Sequence, residues 1–157
     1  MKPVTVSTTI DRSPDQVYAF LDVIANHERF NDHRMTDWEY SGPPTGLGAK
    51  ATAMAKMAGR REPVEMEVIE TTVATTIVER EVSHQGIRVS IGTYRIAPAD
   101  GGGATVTFEY AWQHAPRVEQ ALAPVVRALM RRALQRSLDR LDEALSDRDG
   151  HGGGPGQ

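Results

Sequence analysis

The stretch 118–145 limits the possible folds more than any other part of this chain. Apolar side chains at Val118, Leu122, Val125, Val126, Leu129, Met130, Leu134, Leu138, Leu141 and Leu145 recur at helical spacing, with arginines and acids in most positions between them. The pattern predicts one amphipathic helix, roughly 40 Å long. A helix of that length with an apolar stripe needs a concave partner, which the upstream residues must build. Placed at about 100° per residue, the stripe drifts by roughly a quarter turn between Leu122, Val125 and Leu129 and the later Leu134, Leu138 and Leu145, so its halves bury different things. Pro124 removes the bond to the carbonyl of Gln120, which predicts a kink; the alternative is a helix that starts at Pro124 after a separate turn over 116–123.

Residues 4–10 alternate Val4, Val6, Thr8 and Ile10 with Thr5, Ser7 and Thr9, a β-branched run that suits a half-buried strand. Ser13, Pro14, Asp15 and Gln16 follow as N-cap, first-turn proline, first-turn acid and capping-box partner. A helix therefore begins there, with Val17, Phe20, Leu21 and Ile24 on its buried side, and the polar stretch 26–34 fits a second short helix or a loop. From Met35 onward the chain turns to strands: 35–40, 49–57, one carrying Val64, Met66 and Val68, then 75–84, 87–97 and 105–112. Turns are expected at 42–48, at 59–63 with Arg60 and Arg61, at 71–74, at Gln85 and Gly86, and at 98–103. Six consecutive strands, seven with the first, form an antiparallel sheet that curls around the long helix. The fold class is α+β. Residues 1–146 make one domain, and the glycine-rich 147–157 is expected to be a disordered tail.

The chain of 157 residues carries a net charge of −3 and no cysteine, which removes disulfides, thiol catalysis and thiolate metal sites together. Arginine far outnumbers lysine, but the arginines are interleaved with Asp and Glu, so no basic patch argues for nucleic acid. No apolar run approaches the ~20 residues of a membrane span, and the alternating N-terminus lacks a signal-peptide core. No stable membrane insertion is expected, and a cytoplasmic location is. The pairings His27 with Glu28 and Asp32 with His33 are weak as metal ligands, and no phosphate-cradling or dinucleotide motif is present. Neither a metal nor a cofactor is expected.

Residues 10–21 (IDRSPDQVYAFL), 45–50 (TGLGAK) and 96–107 (IAPADGGGATVT) are similar to the first-strand exit, the glycine-rich lead-in to the third strand and the last hairpin of the START-like, or SRPBCC, superfamily. That superfamily includes the polyketide cyclase/dehydrase-like proteins. With the element order, the chain resembles its helix-grip fold over nearly residues 1–145. The resemblance implies a deep cavity between the curved sheet and the C-terminal helix, holding an apolar or amphipathic small molecule, with the first half of that helix as its lid. Members range from lipid carriers to cyclases and hydrolases, so the fold gives no chemistry by itself.

One face of the strand 49–57 is Ala49, Ala51, Ala53, Ala55 and Met57; small side chains leave room for a cavity or for a closely packed helix. In 87–96 one parity is Ile87, Val89 and Ile91, and the other is Arg88, Ser90, Gly92, Tyr94 and Ile96. The family-like hairpin puts Tyr94 and Ile96 inward. Either Arg88 and Ser90 then face the cavity and give it a polar end for a carboxylate or phenolate, or a bulge near Gly92 switches the faces and keeps the interior apolar. The candidate ligand-lining residues are Ala53, Ala55, Met57, Met66, Tyr94, Tyr110, Trp112, Leu122, Val126 and Met130. Arg60 and Arg61 flank the expected mouth, where they attract an anionic ligand or are simply solvated. Tyr94, Arg88 and His33 are the candidates for proton handling, His33 because Asp32 precedes it, although adjacent side chains rarely face one another; His84 and His114 sit at strand ends.

Two functions stay open. One is a carrier or sensor of a hydrophobic, lipid-like or polyketide-like molecule, and the other is a cyclase/aromatase-like enzyme using the same cavity. An exposed strip of Ile87, Val89 and Ile91 would instead mark a homodimer contact.

Overall fold

The computed structural model describes residues 1–57 and 59–149. Its strands are β1 (Val4–Ile10), β2 (Met35–Ser41), β3 (Lys50–Met57), β4 (Arg60–Thr72), β5 (Thr76–Ser83), β6 (Arg88–Pro98) and β7 (Ala104–His114). They form one antiparallel sheet in the order β1-β7-β6-β5-β4-β3-β2. Strands β2 to β7 pair with their neighbours in sequence, while β1 pairs with β7 at the opposite edge from β2. The chain must therefore cross the concave face between β1 and β2, and two short helices make that crossing: α1 (Pro14–Leu21) and α2 (His27–Asn31). The start of α1 is the capping box expected from the sequence. The Ser13 hydroxyl accepts from Gln16 N at 3.3 Å, and the Gln16 side chain accepts from Ser13 N at 3.0 Å.

The C-terminal segment is two helices rather than one kinked helix. Helix α3 (Arg117–Ala121) ends at Leu122, whose φ of −101° and ψ of 21° leave the helical range, and α4 (Ala123–Asp149) starts immediately after it. Pro124 thus lies in the first turn of α4, where its missing N–H costs no hydrogen bond. The break replaces the expected kink. Met130, Leu134, Leu138, Leu141 and Leu145 of α4 are buried against the sheet and α2, whereas Val118 (64 % exposed), Leu122 (53 %), Val125 (57 %) and Leu129 (49 %) remain at the surface. The drift of the stripe separates a gripped half from an open one. The tail expected from 147 onward lies, from Gly150, outside the described residues.

The turn expected over 59–63 is shorter. Arg60 pairs with Met57, Arg61 with Lys56 and Glu62 with Ala55, so both arginines belong to β4. Gly59, at a φ of 78°, takes the backbone conformation that reverses the chain. At the free edge of β1, Arg127 donates to Lys2 O at 3.0 Å, Arg131 to Thr5 O at 3.2 Å and Gln135 to Ser7 O at 3.1 Å, so α4 covers that edge with its own side chains. Among the described residues no helix is long and apolar enough to cross a membrane.

Candidate functional site

Strand register fixes which side chains share the concave face. Across β3 to β6, one row runs Ala53, Val64, Ser83, Arg88. The next, from β3 to β7, runs Ala51, Met66, Glu81, Ser90, Trp112, and the row after it runs Val68, Glu79, Gly92, Tyr110, Val4. Both β6 readings are thereby decided. Arg88, Ser90, Gly92, Tyr94 and Ile96 are all buried on the inner face. A bulge exists, but it falls opposite Val89 and Ser90, where β7 carries the extra residue Gln113, and it leaves the parity of β6 intact. The interior therefore has a polar end.

Arg88 is the centre of that end. Its guanidinium donates to Glu62 of β4, to both carboxylate oxygens of Glu119 on α3 (Nε to Oε2 at 3.1 Å) and to Ser83 Oγ at 2.8 Å. Burial opposes the charge on Arg88, but the hydrogen bonds and attraction of Glu119 and Glu62 outweigh it and hold its pKa above the ordinary value. His84 Nδ1 lies 3.3 Å from the other oxygen of Glu62. Beside this cluster opens a cavity of about 330 Å³, lined on its polar side by Arg60, Glu62, His84, Arg88 and Glu119 and on its apolar side by Met57, Val118, Leu122, Val126 and Leu129. The exposed apolar half of the C-terminal segment is the wall of this opening.

One and two rows further in are two buried carboxylates, Glu81 and Glu79. Burial pushes Glu81 up to about 7, with Arg34 opposing the rise and Glu79 adding to it, and burial likewise raises Glu79 against the pull of His27 and Arg34. His27 Nε2 lies 2.7 Å from the carbonyl of Leu21, which can only accept, so this nitrogen carries hydrogen and Nδ1 faces Glu79 Oε1 at 3.2 Å. That approach is not aligned as a hydrogen bond, and Glu79 Oε1 is buried without a partner, as is Trp112 Nε1. Tyr94 packs edge-on against His27 at 5.7 Å and on Phe108 at 4.4 Å. Burial first, then Glu79 for Tyr94 and Glu81 for Tyr110, raises both phenols, so they stay protonated. Asn31 braces the assembly. Its Oδ1 accepts from Arg34 Nε at 3.0 Å and from Ser137 of α4 at 2.8 Å, while its Nδ2 donates to His27 O. Among the described residues no group of three His, Asp or Glu side chains is placed to hold a metal ion.

The candidate residues from the sequence fall into three places. Met57, Leu122, Val126 and Arg88 line the cavity. Ala53, Ala55, Met66, Tyr94, Tyr110, Trp112 and Met130 are buried in the core. His33 is elsewhere: it is half-buried, with Nε2 3.4 Å from Ala133 O of α4, and burial lowers its pKa. Asp32 pairs with Arg140 at 2.5 Å and so does not orient His33. Tyr94, Arg88 and His33 therefore do not converge on one point. Arg60 lines the mouth, Arg61 instead pairs with Asp37 at 2.6 Å, and His114 is exposed at the end of β7. Ile87 is exposed and Ile91 half-buried, but Val89 is buried, so the three form no continuous exposed strip. Sequence reading weighed His27 only as a weak metal ligand and missed Arg34, Glu62, Glu79, Glu81 and Glu119. The signal for the central pair was present in β5: if Ile77 faces in, alternation takes Glu79, Glu81 and Ser83 in with it.

No curated protein matches the chain by sequence. Solved structures match it in fold. TTHA0849 from Thermus thermophilus is 18 % identical with a TM-score of 0.73, the match covering 94 % of this chain and 99 % of that one. Ms6760 from Mycobacterium smegmatis is 12 % identical with a TM-score of 0.65, covering 90 % and 88 %. DynU16, from the dynemicin biosynthetic locus, is 13 % identical with a TM-score of 0.65, covering 93 % of this chain and 48 % of that one. At these identities the likeness concerns the fold alone. The family model described as polyketide cyclase / dehydrase and lipid transport matches residues 1–146. With the long helix gripped by a seven-stranded sheet and a polar-ended cavity at its open half, this chain belongs to the polyketide cyclase / dehydrase and lipid transport family.

Proposed function

We propose that the protein binds one amphipathic small molecule between the sheet and the C-terminal helices, as a carrier or sensor. The observation that carries this reading is the two-sided lining of the opening: Met57, Leu122, Val126 and Leu129 on one wall, and the clamped Arg88 with Glu62 and Glu119 on the other. A molecule with an apolar body and a polar end matches both walls. Native mass spectrometry of the protein from its own host, followed by extraction, tests it. A stoichiometric compound recovered unchanged after incubation is the expected result; a protein that holds nothing in any growth condition and takes up no hydrophobic probe overturns the reading.

A second reading, a cyclase-like enzyme, is favoured by one observation. Glu81, which burial pushes up to about 7, lies on the inner face one strand row behind Arg88, with the protonated phenols of Tyr94 and Tyr110 in the same buried region, so a carboxyl able to give and take a proton near neutrality stands behind the polar end of the cavity. Conversion of the extracted compound during incubation, lost in Glu81→Gln or Tyr94→Phe, identifies this case.

A further inference from the structure

The arginines of the C-terminal segment are not interleaved with acids throughout. Residues 120–138 carry Arg127, Arg131, Arg132 and Arg136 and no acid. Arg127 and Arg131 donate to carbonyls at the β1 edge, which satisfies N–H groups without cancelling charge. Among the described residues none of the four has a carboxylate within 4 Å. Arg132 and Arg136 are exposed and continue, at helical spacing, the line of the exposed Val125 and Leu129. At about 100° per residue this line runs roughly opposite the buried Met130, Leu134 and Leu138. Val118 and Leu122 extend its apolar end, and with Leu129 they also line the cavity. The outer surface thus has an aliphatic end and a basic middle, and only beyond these do Asp139 and Glu143 return negative charge. At the mouth Arg60 and Arg88 balance Glu62 and Glu119, so no opposing charge is added there.

We propose that this face docks the protein reversibly on an anionic lipid surface. Val118, Leu122, Val125 and Leu129 enter the headgroup layer, and Arg132 and Arg136 lie at the phosphates. The contact is superficial, since no helix among the described residues is long and apolar enough to cross a membrane. Both halves of the face select this occupant. A nucleic-acid duplex has phosphates for the arginines but no apolar layer for the aliphatic end. A second copy docked through the same stretch covers the aliphatic end but has no acid in 120–138 to offer the arginines. A bilayer with anionic headgroups supplies both. Docked in this way, the protein turns the cavity toward the bilayer, although the docking itself does not depend on the cavity holding a ligand.

Flotation of the full chain with phosphatidylcholine vesicles, with and without phosphatidylglycerol, tests the proposal. Partitioning is expected to be at least about tenfold stronger with phosphatidylglycerol and to fall as salt is raised. Arg132→Gln/Arg136→Gln, which keeps helix propensity at two exposed positions, should weaken it at least about tenfold. Because the chain has no cysteine, Val125→Cys takes a single environment-sensitive fluorophore, and Arg80→Cys takes one at an exposed position of β5. The label at position 125 should brighten on anionic vesicles and the label at position 80 should not. Absent partitioning, equal partitioning to both vesicle types, or undiminished binding by the arginine variant overturns the proposal. Brightening at position 80 without brightening at position 125 also overturns it, because another face then meets the lipid. Binding to a DNA duplex as tight as to the anionic vesicles overturns it too, since the arginines then act as a general polyanion site. Each of these outcomes leaves carriage of a small molecule by the cavity standing.

Discussion

The ring of Phe108 keeps residue 92 a glycine: a Cβ there would come within 2.7 Å of Cζ and 3.0 Å of Cε2. Phe108 is buried and packs on Tyr94 at 4.4 Å, so the ring has little freedom to retreat. Gly92→Ala should therefore lower stability by about 1–3 kcal/mol, seen as a lower urea midpoint at unchanged slope, with Phe108→Leu restoring part of the loss. Glu81 makes a different demand. Its carboxyl rises from 4.5 to about 7 on folding, so the native state holds a proton that the unfolded state releases earlier. Its contribution is complete below about 4.5 and is lost as pH rises to about 7, in all at most about 3 kcal/mol. Unfolding free energies across that window should decline with pH in the parent protein and decline less in Glu81→Gln; equal slopes in the two proteins would mean that Glu81 is solvated in the native state.

Helix α3 has only five residues and no buried apolar side chain, so it cannot be held by propensity or by packing. What ties it down is Glu119 on the buried guanidinium of Arg88, which in turn binds Glu62. Removing the two ends of this clamp should have unequal effects. Glu119→Gln leaves Arg88 paired with Glu62 and should mainly speed amide exchange over 117–122, whereas Arg88→Ala leaves two carboxylates facing each other and should cost about 3–5 kcal/mol. Thermal unfolding and hydrogen exchange of the two variants distinguish these outcomes, and equal losses would mean that the clamp acts as one unit. The clamp also marks the limit of what the sequence makes legible. Strand alternation, the Ser13 and Gln16 capping box and the drifting helix stripe are local patterns, and each gives an element directly. The break at Leu122 follows from local sequence only when the proline is weighed as a first-turn residue. Alternation alone does not single out Glu79 and Glu81, because neither parity of β5 is free of charge: one carries the two glutamates and the other Arg80. The partners of Arg88 come from β4 and α3, 26 and 31 residues away, and no spacing rule links such positions.

A seven-stranded sheet that does not close has two edges, and this molecule protects them by different means. At β2 the ladder itself is disturbed: Asp37 and Trp38 both lie opposite Ala53, Asp37 takes a φ of 57°, and its ion pair with Arg61 fixes the bulge. At β1 the ladder is regular along all seven residues, so its outward carbonyls would offer a template for another strand if nothing covered them. Arg131 and Gln135 occupy the Thr5 and Ser7 carbonyls from α4, and Arg127 those of Lys2 and Pro3 just before the strand, so the same helix that grips the core also seals an edge. Replacing the three by alanine keeps helix propensity and leaves the buried stripe untouched, so the monomer should lose little stability. It should instead gain a tendency to pair through β1, seen in sedimentation velocity as larger species that grow with concentration and are absent from the parent at the same concentrations. If the triple variant sediments as the parent does and its β1 amides exchange no faster, the bulk of α4 alone shields the edge, and the three side-chain contacts are incidental to it.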